Sequence, residues 1–331
     1  MMTVSLCVVA YNEEAFLPNL LDDLSKQTYP HELTEIVLID GCSFDNSKQI
    51  METFKRENCT FMDVKVLDNP KRIQAAGWNV AIKNAIGDVI IRIDAHTHIP
   101  KDFTEKNMML QEAGEYVTGG VRPCLIEEDT AWKNTLLEVE NSLFGSSIAT
   151  SRHGSEKKYV NSMFHAAYKK EVFEKVGLFN EKLLRTEDNE MHYRIRQAGY
   201  KLCFDPTIIS YQYSRNNLKR MIKQKYGNGY WIGVTLGICP RCISVYHLVP
   251  LTFVLGVLLT TVLAFFRIWQ LGALMWGGYL LFALVSMLIT IIKGNGNRWT
   301  WCMPFLFLIL HVVYGIGTLI GICRSVYSEK K

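Results

Sequence analysis

Apolar and polar positions alternate along the first hundred residues with two different periods. Residues 3–10 (TVSLCVVA) form an apolar, β-branched run of strand length that stops at a polar break. Residues 13–26 then place Phe16, Leu17, Leu20, Leu21 and Leu24 at helical spacing. The pattern repeats: residues 35–40 (EIVLID) predict a strand and 46–56 a helix. Residues 64–67 predict a third strand, 73–85 a helix and 88–93 (DVIIRI) a fourth strand. Strands alternating with helices of about 10–15 residues predict βαβ units, hence an α/β fold with a parallel, doubly wound sheet. Such sheets bind ligands beyond the carboxyl ends of their strands. That rule selects Tyr11, Asn12 and Glu13, then Asp40, then Asp94 and His96.

Past residue 100 the alternation loosens. Residues 145–158 (GSSIATSRHGSEKK) are small, polar and partly basic, which predicts a mobile loop, with Arg152 and His153 as a candidate lid. Residues 186–199 predict a helix with Thr186 at the N-cap and Gly199 at its end. Over 216–230, Leu218, Met221, Ile222 and Tyr226 share one helical face. Arg215, Lys219, Arg220, Lys223 and Lys225 supply five positive charges with no acid between them. This predicts a basic amphipathic helix at an anionic bilayer surface, although a solvated charged face has the same pattern.

Three apolar runs follow, at 246–266, 268–292 and 299–323. Each reaches the roughly 20 residues that cross a hydrocarbon core. Tyr246, Trp269, Trp299, Trp301 and Tyr327 stand near the run ends, as interfacial aromatics do. The runs predict a membrane anchor of two to three transmembrane helices. If all three span, Arg267 is outside and 293–298 inside, and Arg324, Lys330 and Lys331 fall outside, against the positive-inside tendency. Either the tail breaks that tendency or one run is re-entrant.

Composition sharpens the division. Of 331 residues, 49% are hydrophobic and 21% charged, yet residues 246–323 hold only Arg267, Lys293 and Arg298 as formal charges. A purely soluble single domain, a disordered chain and a disulfide scaffold are all excluded. The net charge of +4 is too mild to imply nucleic acid. Nine scattered cysteines suit reduced thiols facing the cytosol, and Cys239-Pro-Arg-Cys242 lacks the second ligand pair of a zinc site. Residues 3–10 run into Tyr-Asn-Glu-Glu with no basic leader, unlike a signal peptide. The expected division is 1–214 for the sheet domain, 215–245 for the basic interfacial segment and 246–331 for the anchor.

Candidate chemistry lies after the strands. Asp94-Ala95-His96 places a carboxylate and an imidazole at i and i+2, which on an extended segment point the same way and can grip one ion. Mixed oxygen and nitrogen donors suit Mn²⁺ at least as well as Mg²⁺. A polar turn has the same composition. Glu187 and Asp188, in the first turn of a predicted helix, are either site carboxylates or complements to the helix dipole. Asp40 fits turn chemistry, and Arg72 a surface charge, equally well.

The order of these segments resembles a family. VVAYNEE (8–14), IDGCSFDNS (39–47), NPKRIQAAGWNVAIKNAIGDVIIRIDAH (69–96), AAYKKEVFEKVGLFNE (166–181) and TEDNEMHYRIRQAG (186–199) are similar to motifs of the family 2 glycosyltransferases. The resemblance covers about residues 3–230 and is strongest to membrane-anchored glucosyltransferases that elongate succinoglycan-type exopolysaccharide on a lipid carrier. That subgroup shares Asp-Ala-His and segments like Tyr211–Arg215 and 224–227. The resemblance implies a GT-A fold with a doubly wound mixed sheet. It implies that Tyr11, Asn12, Glu13, Asp40 and Arg72 bind the nucleoside of a nucleotide sugar, UDP-linked by expectation, and that Asp94 and His96 hold Mn²⁺ or Mg²⁺ on its diphosphate. Asp188 would be the catalytic base, supported by Glu187. Three departures stand out: one acid at Asp40 where many relatives have two, Cys42 in place of the usual Gly, and Gln224-Lys225-Tyr226 in place of the Gln-x-x-Arg-Trp of processive synthases.

The implied reaction is inverting transfer of a sugar from a nucleotide sugar to a lipid-linked saccharide in exopolysaccharide or capsule synthesis. It would occur on the cytoplasmic face of the cell membrane, alongside membrane lipids and other polysaccharide-assembly proteins. A polyprenyl-phosphate sugar synthase uses the same donor fold with a phosphate acceptor. A non-catalytic membrane scaffold of polysaccharide assembly is the alternative from another class.

Overall fold

The structure, a computed structural model, describes residues 1–126, 128–145, 154–213 and 217–328. Arg152, His153, Arg215, Lys330 and Lys331 lie outside the described residues. Contacts divide the chain into one unit of Met1–Leu125 with Thr150–Tyr213 and a second of Ile126–Ala149 with Ser214–Lys331. Residues 128–145, expected within the sheet domain, group with the C-terminal helices.

In the first unit the predicted alternation holds: β1 (Val4–Ala10), α1 (Leu17–Ser25), β2 (Thr34–Asp40), α2 (Ser47–Glu57), β3 (Asp63–Asp68), α3 (Gln74–Asn84) and β4 (Val89–Asp94). Then come β5 (Thr97–His98), α4 (Phe103–Glu112), β6 (Val117–Val121), β7 (Cys124–Leu125), β8 (Lys158–Val160), β9 (Ala167–Lys169), α6 (Lys170–Val176), α7 (Glu187–Gln197), β10 (Leu202–Ile209) and β11 (Tyr211–Tyr213). The second unit's α5 (Ala131–Asn141) falls between β7 and β8 in the chain.

Eight strands form one sheet in the order β3-β2-β1-β4-β9-β6-β10-β8, and β5-β11-β7 form a second. The first four strands are mutually parallel, while β9 runs antiparallel to both β4 and β6. The sheet is therefore mixed. Period-two alternation divides the core between its faces. Leu6, Val8, Ile36, Leu38 and Ile91 pack with Leu17, Leu20, Met51 and Phe103 on one side. Cys7, Val37, Ile39 and Ile90 pack with Trp78, Ala81, Phe173 and Met191 on the other.

The chain grows outward from β1 to β3, then returns to place β4 on the other side of β1. That reversal is a topological switch point, where the flanking loops part and leave a crevice beyond the strand ends.

The second unit contains α5, α8 (Leu218–Ile238), α9 (Val249–Phe265), α10 (Gln270–Ile292) and α11 (Met303–Ser328). Val245–Phe265, Gln270–Ile292 and Thr300–Tyr327 are long and apolar enough to cross a membrane. Gly256 lies against Met275 and Gly272 against Thr260, so α10 runs antiparallel to α9; Phe253 stacks on Tyr279 at 4.5 Å, and the Tyr279 hydroxyl meets His311 Nδ1 of α11 at 3.0 Å. Helix α8 runs parallel to α11: Tyr226 lies against Gly317 at one level and Gly237 against Ser325 further along.

Helix α8 corrects the expectation of an open interfacial face. Met221 is 1% exposed and clusters with Leu136, Val139, Leu306, Phe307 and Leu310. Lys225 turns inward, its Nζ 3.7 Å from Glu140 Oε1. Lys219, Arg220 and Lys223 remain exposed. Protein covers Met221 and part of Leu218 and Ile222, while Tyr226 of the same stripe is 38% exposed.

Candidate active site

The crevice at the switch point is a cavity of about 160 Å³ lined by Val9, Ala10 and Tyr11 after β1 and by Asp94, Ala95 and His96 after β4. Glu13, Asn69, Arg72 and Gln74 complete the polar part of its wall. Five sequence-selected residues thus converge. A larger groove, about 760 Å³, runs between α1 and α2, but no strand end opens into it.

The loops after β1 and β2 are laced together. Asn12 N donates to Ser43 Oγ at 2.9 Å, Phe44 N to Asn12 Oδ1 at 2.8 Å, and Glu13 N to Ser47 Oγ at 2.8 Å. Asp40 is 1% exposed and its carboxylate accepts from Ser43 N at 3.2 Å. Neither Asn12 nor Asp40 lines the cavity; both hold the loop that does. Asn12, Cys42 and Arg72 have positive φ of 55°, 58° and 56°. The left-handed backbone at Cys42 is a conformation that glycine adopts at no steric cost.

Tyr11 is 44% exposed and Phe44 76% exposed, with rings edge to face at 6.5 Å and the Arg72 guanidinium 4.9 Å above Phe44. Phe44 escaped the sequence reading. Its only signal is an aromatic residue in an otherwise polar loop.

Asp94 ends β4, and Ala95 and His96 form a tight turn into β5. The extended geometry expected of this triplet is absent. His96 Nδ1 meets Glu13 Oε1 at 3.3 Å and its Nε2 meets Gln212 Nε2 at 3.2 Å. Asp94 instead meets His165, whose Nε2 is 3.2 Å from Oδ2, while Gln74 Nε2 donates to Oδ1 at 3.2 Å. Arg122 Nη1 lies 3.9 Å from Asp94 Oδ2. Burial opposes ionisation of Asp94, but His165, His96 and Arg122 outweigh it and hold the carboxyl well below the usual range. Burial lowers His165, so its contact with Asp94 at neutral pH is a hydrogen bond from a neutral ring.

These residues fit a divalent cation. It needs an ionised carboxylate and a neutral imidazole, and both are present and converge. His165 Nδ1 meets Ser210 Oγ at 2.8 Å, and a hydroxyl can serve either tautomer of that ring. Among the described residues no three His, Cys, Asp or Glu side chains converge, so the protein offers an open set of donors. His165 is 71 positions from Asp94 and takes φ 46°, which the sequence does not signal.

Asp188 and Glu187 begin α7; Thr186 occupies the N-cap position without a side-chain cap bond. Asp188 Oδ1 accepts from Arg92 Nη1, another partner the sequence did not reveal. Glu187 is 4% exposed; burial and then Asp188 push it up, to about 8.

A mixed sheet with an acid-bearing crevice at its switch point defines a GT-A glycosyltransferase. The chain belongs to glycosyl transferase family 2, whose profile matches residues 5–177. It is 25% identical to the dolichyl N-acetyl-alpha-D-glucosaminyl phosphate 3-beta-D-2,3-diacetamido-2,3-dideoxy-beta-D-glucuronosyltransferase of Methanococcus voltae, over 97% of this chain and 98% of that protein. It is 30% identical to the succinoglycan biosynthesis protein ExoA of Rhizobium meliloti, over 69% of this chain and 68% of that protein. Among solved structures, mannosyltransferase PcManGT from Pyrobaculum calidifontis, in complex with GDP-Man and Mn²⁺, shares the fold. Its TM-score is 0.58 over 99% of this chain and 88% of that one, at 14% identity.

Proposed function

We propose that this enzyme transfers a sugar from a nucleotide sugar, UDP-linked, to a lipid-linked saccharide in exopolysaccharide or capsule assembly, with inversion at the anomeric carbon. The observation that carries the reading is the convergence of Tyr11, Glu13, Arg72, Asp94 and His96 on one cavity at the switch point. Relatives named for a dolichyl phosphate-linked acceptor and for succinoglycan support the acceptor class.

Tyr11 and Arg72 bind the nucleoside, on a loop that Asn12 and Asp40 hold in shape. Asp94 and His165 would hold Mn²⁺ or Mg²⁺, with His96 on the adjacent turn as the alternative imidazole. When bound, the cation supplies charge stabilisation to the departing diphosphate. Asp188 accepts the acceptor hydroxyl's proton as that oxygen attacks, since a neutral hydroxyl is a poor nucleophile. Glu187, neutral beside it, adds no second negative charge. Direct displacement inverts configuration. The apolar helices hold the enzyme at the cytoplasmic face of the membrane, where lipid-linked acceptors are concentrated.

The test incubates membranes bearing the enzyme with UDP-glucose, UDP-N-acetylglucosamine or GDP-mannose and a lipid extract, followed by mass analysis of the lipid product. A one-sugar addition to a lipid-linked saccharide from a UDP-sugar, slowed by about 100-fold or more in Asp188→Asn, is expected. Transfer only to added polyprenyl phosphate, or parental turnover in Asp188→Asn, overturns the reading.

A further inference from the structure

Strand β4 carries a charge that its place in the sheet does not require. Arg92 lies between Ile91 and Ile93, opposite Cys7 of β1, in the middle of an eight-stranded sheet. Its side chain is 6% exposed. An aliphatic residue would satisfy the alternation, and burying a guanidinium costs several kcal/mol unless its partners compensate.

The partners here are specific. The guanidinium carbon lies 4.4 Å from the Trp78 ring centroid and 4.5 Å from that of Phe179, so two aromatic rings fix its plane. Phe179 is itself pinned: its N donates to Asn79 Oδ1 at 2.8 Å and its carbonyl accepts from Asn79 Nδ2 at 3.0 Å. Out of this cage Arg92 Nη1 reaches one acid, Asp188 Oδ1.

We propose that Arg92 is a positioning residue: it holds the Asp188 carboxylate by one oxygen and leaves the other for the acceptor hydroxyl. The role rests on the assignment of Asp188 as base. A carboxylate in the first turn of a helix can otherwise fold back onto the free N–H groups there. The pair with Arg92 opposes that rotation.

The same residue ties the base to the donor. Arg92 and Asp94 are two apart on β4 and share a face, which sets their Cα atoms about 7 Å apart. Arg92 N donates to Ala166 O at 3.2 Å, and β1 pairs along the opposite edge of the strand. One rigid strand thus fixes both the residue that meets the diphosphate and the residue that aims the base. Small errors in that spacing are costly to rate.

The experiment uses the full-length enzyme in membranes, with the donor identified by the product assay and UDP binding as a separate measure of folding. Arg92→Met is expected to lower kcat by about 100-fold, in the range of lost general-base catalysis, with the donor KM and UDP affinity within about threefold. Arg92→Lys, which keeps the charge, is expected to restore at least about tenfold of that loss. Adding Arg92→Met to Asp188→Asn is expected to lower the rate little further, because residues acting as a unit are non-additive. Parental kcat in Arg92→Met, or an equal loss in the presence and absence of Asp188, overturns the role of Arg92 while leaving Asp188 as base. Parental kcat in Asp188→Asn overturns the base assignment itself. If Arg92→Met loses UDP binding, Arg92→Lys decides: rescue through kcat supports the role, and an unchanged kcat overturns it.

Discussion

Gly233 of α8 and Gly321 of α11 bring two helices to backbone contact: a Cβ on Gly321 would lie 3.0 Å from the Gly233 Cα. On the other helix, a Cβ on Gly233 would lie 2.7 Å from Ile322 N. Neither neighbour is a flexible side-chain end that could move aside. Gly233→Leu is expected to destabilise the protein in detergent by about 2 kcal/mol or more, the scale of overpacking. Gly277→Ala on α10, where a Cβ meets nothing within 4 Å, is expected to keep or raise the melting temperature. Thermal melts of both variants check the pair.

Asp94 and His165 predict a metal dependence in which His165 competes with the motif's His96 as the imidazole donor. After EDTA treatment, His165→Ala is expected to need at least about tenfold more Mn²⁺ for half-maximal transfer. Metal titration of His165→Ala beside His96→Ala ranks the two imidazoles. An unchanged Mn²⁺ requirement in His165→Ala removes it from the donor set.

Glu187 predicts a pH dependence of stability. Its carboxyl moves from 4.5 to about 8 on folding, through burial first and then Asp188. A folded pKa above the unfolded one means the neutral form is favoured by folding. The associated stability is complete below about pH 4.5 and is lost as pH rises through about 8. Glu187→Gln, which stays neutral, is expected to melt with the parent at pH 5 and at least about 3 °C above it at pH 9. Parallel melting curves across that range contradict the assignment.

Lys225 and Glu140 form an ion pair with side chains only 8% and 7% exposed. Removing one member takes this ion partner from a charge that stays buried, so Lys225→Met or Glu140→Gln is expected to cost about 3 kcal/mol. The double variant Lys225→Met with Glu140→Gln is expected to recover part of that loss. Chemical denaturation of the three variants measures the coupling, and additive losses would show that the two residues act separately.

Much of this was legible from the chain. The α/β alternation, the strands that end at Tyr11, Asp40 and Asp94, and the three apolar runs follow from period and length, which are local properties of sequence. The place of Glu187 and Asp188 in a first helical turn was legible, but there a site role and a dipole complement look the same. The resemblance to family 2 glycosyltransferases added roles that spacing alone left open.

What the chain concealed is non-local. His165 meets Asp94 only because antiparallel β9 enters the sheet beside β4. Arg92 looks like an interruption in an apolar strand until Trp78, Phe179 and Asp188 surround it. Part of the expected open face of α8 is covered, Met221 being buried against α5 and α11, because Gly229 and Gly233 admit α11, while Tyr226 stays exposed. Sequence by itself determined which elements form and which strand ends carry acids, since backbone period and burial act along neighbouring residues. Tertiary structure alone decided which charge partners which acid and which apolar faces remain uncovered, because those depend on the elements that topology brings alongside.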